Sequence, residues 1–70
     1  MADDFAVRLL KLMTRERLTT VQLAKAAGIT PSSIYAYERG NFTPSYSALI
    51  RLAKTFNVST DYLCGLKETP

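Results

Sequence analysis

A chain of 70 residues, 47% hydrophobic with only three glycines and three prolines, is long enough for one small domain and composed for a packed core rather than disorder. It has no histidine and a single cysteine, Cys64, which excludes imidazole catalysis, histidine-based metal sites and an internal disulfide framework and suits a reducing, cytoplasmic setting. The net charge of +3 is concentrated: eight basic and two acidic residues lie between Phe5 and Asn57, a local balance of +6, which fits a polyanionic partner.

The first predicted helix opens at Asp3 or Asp4, either of which is placed to cap it and to meet the positive end of its dipole. This acidic start is unlike a signal peptide, and no apolar run approaches the roughly 18 residues of a membrane span. Phe5, Leu9, Leu12 and Met13 form the apolar stripe, with Leu10 at its margin and Val7 away from it. Arg8, Lys11 and Arg15 share another face, read as solvated, with contact to phosphate or a partner as the alternative.

After a short connection over Arg17–Thr19, the stretch Thr20–Gly40 (TVQLAKAAGITPSSIYAYERG) holds two short helical patterns and a tight turn. Thr19 or Thr20 caps the first, about Val21–Ala27, and two turns of helix depend on tertiary packing for their stability. Leu23, Ala27, Ile34 and Tyr37 recur at helical spacing and point to one shared core. Ala24 is small enough for a close helix crossing, and Gly28 tolerates the left-handed backbone of a C-terminal cap. Thr30 then caps a second helix with Pro31 in its first turn, where a missing N–H costs nothing. This is a helix-turn-helix, with Pro31–Arg39 as the outer helix and Gly40 as its stop. Tyr35 and Tyr37 lie two apart and cannot share a face, so Tyr37 is assigned to the core and Tyr35 to the outside.

Asn41–Ser45 reads as a loop in which Pro44 fixes the exit and Phe42 covers the core. Ser45 caps a helix over about Tyr46–Phe56, with Tyr46, Leu49, Ile50, Ala53 and Phe56 on its apolar face and Asn57 at its close. Ser59 or Thr60 caps a last short helix carrying Tyr62, Leu63 and Leu66, with Asp61 in its first turn and Gly65 near its end. Lys67–Pro70 is expected to fray, and Lys25 and Lys54 are read as solvated surface.

The pieces "LAKAAGIT", "SSIYAYERG", "NFTPS", "ALIRLAKTFNVS" and "DYLCGL", in this order and spacing, resemble the Cro/phage-repressor type of helix-turn-helix domain, the XRE family. The resemblance covers roughly Val7 to Leu66. It implies an all-α, compact five-helix, lambda-repressor-like domain over residues 1–70. The implied function is binding of a double-stranded DNA operator, as a homodimer, to regulate transcription. Carried over by position, base edges are read by Pro31, Ser32, Tyr35 and Ala36, with Thr30 and Ser33 at the groove edge. Thr20 matches a phosphate-gripping position, and Arg39 and Asn41 match backbone contacts on the other side.

The sequence departs from that family in two places. Pro31 and Ser32 stand where relatives often carry a glutamine, so the bidentate amide that reads adenine is missing. Met13 stands where many relatives place an arginine that pairs with the glutamate matching Glu38, leaving Arg15, Arg17 or solvent as the candidates to meet that carboxylate.

An enzyme is not expected. There is no phosphate-cradling glycine loop, metal-ligand cluster or paired carboxylates, no cofactor is implied, and Cys64 reads as a small, half-buried residue of the last helix. Leu52, Cys64 and Leu66 are candidates for a dimer face, or else they complete a small core. The alternative function is a protein-binding module on the same fold, such as an antitoxin, which a flat hydrophobic face on the outer helix would favour.

Overall fold

The computed structural model describes residues 2–68, with backbone alone for residues 2–4. Its elements are α1 (Ala2–Glu16), α2 (Thr20–Ala27), α3 (Pro31–Glu38), α4 (Tyr46–Phe56) and α5 (Thr60–Leu63), and no strand occurs among the described residues. The fold is all-helical, as expected.

One cluster holds the helices together. The α1 stripe of Phe5, Leu9, Leu12 and Met13 is buried with Leu23, Ala24 and Ala27 of α2, Ile34 and Tyr37 of α3, Leu52, Ala53 and Phe56 of α4, and Leu63 of α5. Phe5 meets Tyr37 edge to face, ring centres 5.7 Å apart, so α1 fixes the inner face of α3. α3 packs on both α1 and α2, α4 packs on α2, and α5 closes against α1 and α4. The outer face of α3 is thereby left uncovered.

Caps set the boundaries. Thr19 caps α2 in a reciprocal box: its hydroxyl accepts from the Gln22 N–H, and Gln22 Oε1 accepts from the Thr19 N–H at 2.9 Å. Ser45 caps α4 and Ser59 caps α5, each hydroxyl accepting from the N–H three residues on. Asn57, at φ 56°, ends α4 as expected. Arg17 also takes a positive φ, 56°, where the chain turns from α1 towards α2.

Several expectations are corrected. α1 already includes Asp3 and Asp4, so neither is its N-cap. Tyr46, placed on the inner face of α4, is 77% exposed, because it is the first residue of the helix and projects beyond the core. Phe42 does not cover the core; it is 64% exposed, in the loop that follows α3. Leu52, a candidate for the dimer face, is completely buried in the core and has no surface to offer a partner. Arg8 is not solvated: its side chain is only 16% exposed, lies 4.6 Å over the Tyr62 ring, and donates to the Lys67 carbonyl at 2.7 Å. That bond holds the chain after α5 as far as Lys67, whereas Thr69 and Pro70 lie outside the described residues. Cys64 follows α5, half-buried and free, and Leu66 is 77% exposed.

Candidate nucleic-acid interface

The turn between α2 and α3 is built from three residues. Gly28, at φ 70°, turns the chain and donates its N–H to the Ala24 carbonyl, and Ile29 donates to the same oxygen at 3.0 Å. A Cβ at Gly28 would meet the Arg51 guanidinium at 3.4 Å, and Arg51 Nη1 donates to the Gly28 carbonyl at 3.0 Å. The turn is therefore tied to α4 through a side chain as well as through the core. Thr30 caps α3 by accepting from the Ser33 N–H, and Pro31 occupies its first turn.

Because Ile34 and Tyr37 are fixed inside, the 3.6-residue period turns Ser32, Tyr35 and Arg39 outward together. Pro31 and Ser32 are exposed, Tyr35 is half-exposed, and Ala36 and Ser33 are partly covered at the margin. The structure thus collects Pro31, Ser32, Tyr35 and Ala36 on one accessible side of α3. α3 itself ends at Glu38, with Arg39 as its cap and Gly40 at φ 74° reversing the chain. Gly40 donates to the Tyr37 carbonyl and Asn41 to that of Ala36, both at 3.1 Å, which holds Arg39 and Asn41 exposed at the end of the outer helix.

Thr20 is different from what its position suggested. It is partly buried, and its hydroxyl donates to Glu38 Oε2 at 2.7 Å. Neither Arg15 nor Arg17 pairs with Glu38; Arg15 binds Glu16 at 3.0 Å and reaches the Phe56 carbonyl at 3.4 Å. With Met13 apolar and buried, a neutral hydroxyl takes the place of a cation beside this carboxylate. The capping box uses the N–H groups of Thr19 and Gln22, leaving those of Thr20 and Val21 as the free donors at the start of α2. No spacing rule exposes a contact between residues 20 and 38, so this pair was invisible in the sequence.

Among the described residues, no group of three or more acidic or thiol side chains is placed to hold a metal ion, and no helix is long and apolar enough to cross a membrane. What the arrangement offers is a short, capped helix with small polar and aromatic side chains facing out, set in a basic body.

The comparisons with known proteins agree with that geometry. A family model described as "Helix-turn-helix" matches residues 6–63. The chain is similar to YobD of Bacillus subtilis (strain 168), an uncharacterized HTH-type transcriptional regulator, at 38% identity over 66 residues. That match covers 94% of this chain but 59% of the relative, so the chain spans little more than half of the relative's length. No solved structure matches it significantly. The chain belongs to the Cro/phage-repressor-type (XRE) family of DNA-binding helix-turn-helix transcriptional regulators.

Proposed function

We propose that this protein is a sequence-specific, dimeric regulator, a repressor or autoregulator, that places α3 in the major groove of a near-palindromic operator. The observation that carries the reading is the common outward face of Ser32, Tyr35 and Arg39 on a helix whose opposite side is locked into the core. Ser32 supplies a hydroxyl, Tyr35 a phenol and an apolar ring, and Ala36 a methyl suited to contact with thymine. Arg39 and Asn41 bind phosphate at one end of α3. At the other, the free N–H groups of Thr20 and Val21 do so at the start of α2, the Thr20 hydroxyl being already engaged by Glu38. Two copies would set their α3 helices about 34 Å apart, one turn of B-DNA. Leu66 and Cys64 are the surface left for the dimer contact once Leu52 is assigned to the core. The protein works in the cytoplasm, with double-stranded DNA and a second copy of itself as partners and no cofactor.

Selection from genomic fragments tests this directly. An inverted repeat should be enriched, Ser32→Ala and Tyr35→Ala should bind with reduced discrimination, and log affinity should fall with log salt at about −0.9 per neutralised phosphate. Equal binding of all sequences by wild type and both variants would falsify the regulator reading and direct attention to a protein partner, the antitoxin-like alternative.

A further inference from the structure

Beside the outer face of α3 lies an open cleft of about 330 Å³, lined by Ser32, Ser33, Ala36, Tyr37, Phe42 and Thr43. Its outer wall is Phe42, a large apolar ring left 64% exposed. An isolated exposed aromatic needs no explanation, but this one shares a groove with Ser32 and Ala36, two residues already assigned to reading bases. The polar side of the cleft is also arranged. Thr30 donates its hydroxyl proton to Ser33 Oγ at 3.0 Å while its own oxygen accepts from the Ser33 N–H. The Ser33 hydroxyl keeps a rotatable proton of its own, which it can donate to a partner in the cleft. A hydrogen-bond donor thus stands next to an apolar wall of Ala36 and Phe42.

We propose that this cleft receives the major-groove edge of a thymine and that Phe42 is a specificity-determining residue. The proposal rests on the DNA-binding reading above. Thymine alone places an acceptor, O4, beside a methyl group at C5. Ser33 donates to O4, and the methyl fills the space between Ala36 and Phe42. Cytosine presents an amino donor where O4 would lie and has no methyl, so it satisfies neither side. The cleft supplies discrimination at a site where the first turn of α3 has no glutamine to read adenine.

The test uses the full chain and the duplex enriched by genomic selection, with each thymine in turn replaced by deoxyuridine, which removes only the methyl. Wild type should lose about fourfold in affinity at one thymine per half-site, the equivalent of one buried methyl group. Phe42→Ala should show no loss on that replacement, whereas Phe42→Leu, which keeps an apolar wall, should retain it. Circular dichroism should show both variants folded, since the ring is exposed. If a duplex is enriched but Phe42→Ala shows the same deoxyuridine loss as wild type, or weakens every duplex equally, the thymine assignment is overturned and the regulator reading survives. If no duplex is enriched, both fall.

Discussion

Arg17, Gly28 and Asn57 do the same work at the ends of α1, α2 and α4: each takes a positive φ, at 56°, 70° and 56°, and lets the chain leave its helix. Gly28 and Asn57 are residue types for which that conformation is cheap, so both stops were legible beforehand. Arg17 carried no such signal in its residue type; the turn around it is closed by backbone bonds, Leu18 donating to the Met13 carbonyl at 2.9 Å. A non-glycine residue in this region costs roughly 1–2 kcal/mol, and glycine returns part of that through the entropy of the unfolded chain. Arg17→Gly is therefore expected to raise stability by roughly 0.5–1 kcal/mol, read as a higher urea midpoint at unchanged slope. The same substitution removes a cation that lines the groove with Thr20 and Tyr35, so the salt dependence of DNA binding should become shallower. Thr20 itself shows the limit of reading by position. Its place at the start of α2 pointed to a phosphate, and only the three-dimensional fold brings Glu38 within 2.7 Å of its hydroxyl.

The helices here are short, and their ends matter correspondingly. α2 and α3 have eight residues each, below the length at which a helix stands alone in water, so caps and core contacts decide whether they form. Thr19, Thr30, Ser45 and Ser59 all accept from the N–H three residues on, and each lies in a position that the sequence marks by an oxygen-bearing side chain ahead of an apolar period. Thr19→Ala should cost about 1 kcal/mol, since it opens a capping box in which both partners are engaged. Hydrogen exchange should locate the loss: amides of α2 should exchange faster while those of α4 change only with global stability. Uniform acceleration across all helices would show instead that α2 does not open on its own.

At the scale of the molecule, the core and the outer face of α3 are two consequences of one arrangement. α1 and α2 hold the inner side of α3, and α4, tied by Arg51 to the Gly28 carbonyl, steadies the turn that aims it. A chain of this size buries only about 60% of its unfolded surface, so little stability is in reserve. Leu52→Ala, at a site with no exposure, should cost about 2–5 kcal/mol and leave the domain largely unfolded at 37 °C. Leu66→Ser, at a site 77% exposed, should leave the thermal midpoint of the monomer unchanged and lower the dimer fraction in sedimentation equilibrium. A large stability loss for Leu66→Ser would mean that the side chain completes the core rather than a contact with a second copy.

The sequence by itself determined the helix-turn-helix, the caps at Thr30 and Ser45, the stops at Gly28 and Asn57 and the inner stripe of α1, because capping and periodicity act over a few residues and are written locally. It also separated Tyr37 from Tyr35, since two residues of one helix two apart must point different ways. Tertiary structure alone decided the destinations of Leu52, Phe42, Tyr46 and Arg8, and the pairing of Thr20 with Glu38. Each depends on which neighbouring element arrives beside the residue. An apolar side chain carries no mark of whether that neighbour is the core of its own chain, solvent or another molecule.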